Sequence, residues 1–254
     1  MKSSKISHTT PSLFLRFKSI QTMIKELGEN MITKQETIYK WIQNGQLEAA
    51  LKALFENIEE EPNTIENYIN AGIVLADVNE VEKAERFFQR ALAIDDKNGP
   101  VYYNLANLYY DQGKYRDAIK LYQLASKCDM DKIDTNYMIG MSFNQLDAPK
   151  ESLPFFMTAA ELEPNRDAEV QFQYGLALCH LEMFEQAIQQ LKLVLSIDSQ
   201  HVDALYNLGL AIYMHTEDIE LAISYFDKAI SIDPEHVLSQ HAKKTFEAIK
   251  NEEE

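Results

Sequence analysis

A spacing of 34 residues runs through this 254-residue chain and constrains its architecture more tightly than any single motif. Small residues recur at Gly72, Ala106, Gly140, Gly175 and Gly209, and a second small series runs Ala50, Ala84, Ala118, Ser152, Ala187 and Ala222. Four residues after each member of the second series stands a large apolar side chain: Leu54, Phe88, Tyr122, Phe156, Leu191 or Phe226. Three further on comes Asn57, Ala91, Ala125, Ala159, Val194 or Ala229. Self-similarity at such a period signals an array of stacked units, each unable to bury its apolar face alone.

One unit, residues 99–132, shows what is being repeated. Gly99-Pro100 opens a helix, because proline suits the first turn, where its missing N–H costs nothing. Tyr102, Leu105, Ala106 and Tyr109 fall at three- and four-residue spacing and form one apolar stripe. Asp111-Gln112-Gly113 breaks that helix, and Tyr115, Ala118, Ile119, Tyr122 and Ala125 make the stripe of a second. The unit is a helical hairpin, with Ala106 and Ala118 small where the two helices cross. The fold class read from this is all-α.

The pattern resembles the tetratricopeptide repeat over roughly residues 31–236, most fully in Asn104-Leu105-Ala106-Asn107-Leu108-Tyr109-Tyr110, Gly113, Tyr115, Ala118, Tyr122 and Ala125. Tyr206-Asn207-Leu208-Gly209, Ala222, Tyr225-Phe226, Ala229 and Asp233-Pro234 repeat it. The resemblance implies a right-handed superhelical solenoid of about six hairpins, residues 31–64, 65–98, 99–132, 133–166, 168–201 and 202–236. A capping helix is expected over 237–250 and an acidic, solvated tail over 251–254. Pro62, Pro164 and Pro234 end second helices, while Asp96, Met130 and Ser199 stand in the equivalent places elsewhere, so turn residues must end those helices. Ile38 and Asn57 replace small residues in the first unit, as suits a terminal unit with one unstacked face. Pro154 should bend the fourth unit's second helix.

Residues 1–30 lie outside the period. Phe14–Ile24 has the spacing of a short amphipathic helix, and Leu13-Phe14-Leu15 is too short for a secretory signal. Gly28-Glu29-Asn30 is encodable as GGAGAAAAT directly before Met31, resembling a bacterial ribosome-binding site, and Met31 is read as the true start. A basic, Ser/Thr-rich transit peptide is the competing reading.

Charge narrows the partners. The formal net charge is -16. Residues 1–30 contribute five positive charges (Lys2, Lys5, Arg16, Lys18, Lys25) and two negative (Glu26, Glu29), so residues 31–254 hold -19. So acidic a surface opposes nucleic acid, whose binding rests on Lys and Arg neutralising phosphates. No window approaches the ~18 apolar residues of a membrane-spanning helix. Two isolated cysteines, Cys128 and Cys179, fit a reducing, cytoplasmic compartment.

In the family the resemblance points to, the first helices line a concave groove that binds peptides. The matching positions are Ile69, Tyr103, Tyr137, Phe172 and Tyr206 along one line and Asn70, Asn104, Met138, Gln173 and Asn207 beside it. Ile73, Asn107, Met141, Leu176 and Leu210 form a third line, with Tyr110, Asn144, Cys179 and Tyr213 deeper. Aromatics supply contact area, methionines adapt, and carboxamides bond a peptide backbone in either polarity. The bland alternative is that the tyrosines only pack neighbouring helices together. Members that grip a terminal carboxylate do so with lysines and arginines, and no Lys or Arg joins Asn70, Asn104 and Asn107 here.

No catalytic, cofactor or metal motif accompanies this. None of His8, His180, His201, His215, His236 and His241 forms a zinc-protease pair, and His180 and His201 read as solvated turn histidines. Cys179 reads as a small apolar residue, not a nucleophile. No phosphate loop or nucleophile elbow occurs. The reading is a non-enzymatic scaffold for a neutral or basic protein segment with apolar side chains. The alternatives are self-association through terminal repeats or a regulatory subunit, with a monomer favoured.

Overall fold

The computed structural model describes residues 29–164 and 167–253, which form thirteen α-helices and no strand. The expected helix at 14–24 lies outside the described residues. The described residues divide into two compact units, the first ending at residue 130 and the second beginning at residue 131.

The first unit contains α1 (Glu29–Gln43), α2 (Leu47–Glu60), α3 (Ile65–Asp77), α4 (Val81–Ile94), α5 (Gly99–Asp111) and α6 (Tyr115–Lys127). The second contains α7 (Lys132–Gln145), α8 (Pro149–Leu162), α9 (Ala168–His180), α10 (Phe184–Ile197), α11 (Val202–Thr216), α12 (Ile219–Ile232) and α13 (Val237–Glu253). From α1 to α12 the odd-numbered helices are first helices, and each packs on the even-numbered helix that follows it, while α13 packs on α12. Within each unit, second helices pack on the next first helix, as α4 does on α5 and α10 on α11. This is the all-α helical repeat fold that the period predicts. The acidic end differs from expectation: α13 runs on to Glu253 through residues read as a tail.

The two small series have one physical cause each. A Cβ placed on Gly72 would lie 2.6 Å from the Phe88 ring, one on Gly140 2.7 Å from Phe156, and one on Gly209 2.7 Å from Phe226. The first-helix glycine thus accepts the ring of the large residue on its own second helix. Ala84, Ala118, Ala187 and Ala222 are fully enclosed, and Ser152, in the same slot, satisfies its hydroxyl by donating to the Pro149 carbonyl at 3.0 Å. Burying one large side chain such as Phe88 or Phe226 in each hairpin contributes about 1.5–3 kcal/mol.

The turns are as periodic as the core. Each hairpin reverses through a residue with positive φ: Gly45, Asn79, Gly113, Asp147, Glu182 and Glu217. At second-helix ends a different device recurs. Asp95, Asp198 and Asp233 accept through Oδ1 from the backbone N–H two residues on, at 3.0, 2.9 and 2.9 Å. The end of α6 instead uses Asp129 at φ 60. Pro154 removes the N–H that would reach the Lys150 carbonyl, yet α8 continues through it as one helix. Asn57 also departs from expectation: it lies on a stacked face, because α2 packs on α3, and it is buried.

Candidate functional site

The first-helix face is built differently in the two units. In the first, six of its seven expected groove residues are buried. Ile69 and Ile73 belong to a core cluster with Phe88, Leu105 and Leu108. Tyr103 packs edge-on against Tyr122, with ring centroids 5.4 Å apart. The carboxamides are engaged within the fold. Asn104 donates to the Pro100 carbonyl at 2.8 Å, and Asn107 accepts from the Tyr122 hydroxyl at 2.6 Å. Asn70 hydrogen-bonds Tyr39, whose phenol burial pushes up to about 12. Tyr110 alone of this set is half-buried, edge-on to Tyr115. Asn70, Asn104 and Asn107, expected to read a peptide backbone, are thus buried and bonded within the fold, and α3 packs on α5.

The second unit is more open. Of its twelve expected residues only Met138 and Phe172 are buried. Met138, expected in the groove, is 1% exposed. Tyr137, Met141, Asn144, Gln173, Leu176, Tyr206, Asn207, Leu210 and Tyr213 are all half-buried. Each aromatic is braced from behind: Tyr137 on Phe156, Tyr206 on Phe226 and Tyr213 on Phe246. The face thus presents fixed ring edges and aliphatic side chains. Gln173 donates to Glu169 at 2.8 Å and Asn207 to the Asp203 carbonyl at 2.8 Å, which fixes the orientation of both amides. Cys179 is half-buried and its thiol is pushed up to about 11 by burial, which leaves it protonated and a poor nucleophile.

Two histidines tie neighbouring helices together, and one of them departs from the sequence reading. His201 is not a solvated turn residue: it caps α11, its Nδ1 accepting the Ala204 N–H at 3.2 Å. Its ring lies 4.6 Å from Phe172, with Nε2 3.9 Å from Glu169. His236 repeats the arrangement at the start of α13, with Nε2 3.2 Å from Asp203 and its ring 5.8 Å from Tyr206. Each imidazole ties one first helix to the first turn of the preceding one. Burial alone would lower the His201 pKa, but the facing Glu169, with Asp203 and Asp198, outweighs it and raises it. Glu169 is held below the usual carboxylate range by His201. The signal was present in the common phase of Glu169 with Asp203 and of His201 with His236. His180, by contrast, is exposed at the end of α9.

No group of His, Cys, Asp and Glu among the described residues is placed to hold a metal. No described helix is long and apolar enough to cross a membrane.

Stacked hairpins with a small-residue crossing and a first-helix face of aromatics define a helical-repeat class of protein. Tetratricopeptide-repeat profiles match residues 75–137 and 202–236. Among solved structures, YrrB, described as a TPR protein with an unusual peptide-binding site, is 36% identical. The match covers 76% of this chain and 99% of that one, with a TM-score of 0.66. The chain belongs to the tetratricopeptide repeat family, whose members generally mediate protein–protein interaction. Curated relatives are more distant. Human DnaJ homolog subfamily C member 7 is 23% identical over 210 residues, 83% of this chain. Drosophila melanogaster protein O-mannosyl-transferase Tmtc3 is 24% identical over 136 residues, 48% of this chain. The chain spans 38% of the first relative's length and 15% of the second's.

Proposed function

We propose that this chain is a non-catalytic interaction scaffold that holds a peptide segment or helix of a partner protein against α7, α9 and α11. The observation that carries this is the contrast in burial. The first-helix face of the first unit is closed, whereas Tyr137, Met141, Leu176, Tyr206, Leu210 and Tyr213 stay half-buried in the second. Such a surface offers apolar anchoring without further unfolding, and its braced rings lose little entropy on contact. The likeness to YrrB, whose description names a peptide-binding site, supports the same reading.

Charge refines the partner. Lys132 is the only Lys or Arg in α7, α9 and α11, against Asp134, Glu169 and Asp203. A neutral or basic segment with apolar side chains is favoured, and an acidic tail or nucleic acid is opposed. The transferase name of Tmtc3 belongs to a protein of which this chain spans 15%, and the reading here stays non-catalytic. A cytoplasmic monomer is the proposed state. Self-association through the last helix is disfavoured because α13 carries Lys244 where α3, α5, α7, α9 and α11 carry Gly or Ala, and charge pairs Lys243 to Asp227 and Lys250 to Glu220.

Selection of a displayed random-peptide library on the full chain tests the proposal. Enriched peptides should bind the full chain, lose most of their affinity for Leu176→Ala/Leu210→Ala, and keep it for Tyr110→Ala. Equal binding to all three proteins discards the groove, and circular dichroism checks that the helices persist.

A further inference from the structure

The contact between α2 and α3 breaks the repeat pattern in two places at once. The slot that holds Ala91, Ala125, Ala159, Val194 and Ala229 in later second helices holds Asn57 in α2. The slot that holds Val101, Thr135, Val170 and Ala204 in later first helices holds Asn67 in α3. Both carboxamides are buried, 8% and 3% exposed, and both line one open cleft of about 100 Å³. Lys34 and Gln35 from α1, Glu60 at the end of α2, and Glu61 and Thr64 from the following loop complete its wall. Asn57 Oδ1 is buried and has no hydrogen-bond partner. A native fold leaves few such acceptors, and each calls for an explanation.

The chemistry of the wall states what is wanting. Lys34 Nζ lies 3.0 Å from Glu60 Oε2, and Thr64 Oγ1 donates to Glu61 Oε2 at 3.0 Å. Two carboxylates against one ammonium leave the cleft one negative charge in excess, beside an unanswered acceptor. The volume is below the ~300 Å³ at which metabolite pockets begin, so a side-chain head fits and a cofactor does not. Of the cationic heads, guanidinium is planar, weakly hydrated and carries five donors in a fork, so that one group can serve Asn57 and Glu61 together. Asn57 Oδ1 is shielded from solvent as it stands, and the Cβ–Cγ torsion of asparagine is broad and soft, so the amide can reorient when a donor arrives.

We infer that this cleft is an arginine-anchoring site, separate from the groove on α7, α9 and α11. Asn57 Oδ1 and the Glu61 carboxylate accept from the guanidinium, Glu60 remains with Lys34, and the cleft becomes neutral. The arginine belongs either to a partner protein or to the chain itself, whose residues 1–30 contain Arg16.

The test uses the full chain, ¹⁵N-labelled, titrated with N-acetyl-arginine amide, N-acetyl-citrulline amide and N-acetyl-lysine amide, in parallel with its Arg16→Gln form. The arginine compound should give saturable shifts at the Asn57 side-chain amide and the Glu61 backbone amide in at least one of the two chains. The neutral citrulline isostere and the lysine compound should bind about tenfold more weakly or less. Asn57→Ala and Glu61→Gln should each abolish the arginine shift. Glu61 is exposed, so its variant keeps the test valid if Asn57→Ala perturbs folding. If Arg16→Gln alone moves the Asn57 signal before any addition, the anchored arginine is the chain's own; an unmoved signal assigns it to a partner. Absence of saturable arginine shifts in both chains, equal binding of citrulline or lysine, or shifts that survive in both site variants would overturn the inference.

Discussion

Gly72→Ala should destabilise the first unit, although alanine is the better helix former. The new Cβ would stand 2.6, 2.8 and 2.9 Å from three carbons of the Phe88 ring. That ring is fully enclosed and has nowhere to go. Overpacking of this kind costs about 1–3 kcal/mol, and the propensity gained on replacing glycine returns about 1 kcal/mol. The net loss should be about 1 kcal/mol, a fall of roughly 2–4 °C in melting temperature for a chain this size. The fifth repeat supplies the control. At Gly175 the same Cβ would meet Leu191 at 3.1 and 3.2 Å, so Gly175→Ala should be near neutral. Pairing Gly72→Ala with Phe88→Leu copies that arrangement into the second repeat, and the double variant should be more stable than the sum of the single changes implies. Because repeat arrays need not unfold in one step, thermal melts should be joined by hydrogen exchange resolved to α3 and α4. A Gly72→Ala chain as stable as wild type, or a Gly175→Ala chain that loses more, would refute the ring-in-glycine account.

Other consequences are open to equally simple measurements. His201 has a raised pKa, so its share of stability is complete below the unfolded value and drains away as pH rises through the folded one. The difference in melting temperature between wild type and His201→Gln should therefore shrink from pH 6 to pH 8, a change of roughly 0.5 kcal/mol for a rim pair; a constant difference would rule out the ion pair. Glu182 adopts φ 58 with a side chain that disfavours it, and Glu182→Gly should raise stability by about 0.5–1 kcal/mol in denaturant melts, with a loss counting against backbone strain. Cys179 alkylation, followed by peptide mass spectrometry, should be slow at pH 8 and accelerate toward about pH 11; rapid labelling at neutral pH would contradict a buried, protonated thiol.

The hairpins were legible because each satisfies a local rule at a fixed spacing. Ala118 and Tyr122 share a helix face, Gly113 reverses the chain, and the same arrangement recurs 34 residues away. The turns were only half legible. Gly45 and Gly113 announce positive φ, but Asn79, Asp147, Glu182 and Glu217 do so only through their phase with those glycines. Which side the groove residues occupy follows from helical spacing, but their depth does not. Asn104 and Asn207 occupy the same slot, yet Asn104 is buried against its neighbours and Asn207 is half-buried, because exposure depends on the adjacent helix. The histidine clasps were missed for a related reason. Glu169 and His201 lie 32 residues apart, and only stacking of α9 with α11 brings them together. Asn57 stood out in sequence, but its partner in the anomaly, Asn67, is visible only once α2 and α3 share a cleft.

Amide hydrogen exchange of the full chain with and without a library-selected peptide tests the central claim most directly. Bound peptide should slow exchange in α7, α9 and α11 and leave α3 and α5 unchanged. Protection concentrated in α3 and α5, or in second helices such as α8 and α10, would place the binding face elsewhere and contradict the account.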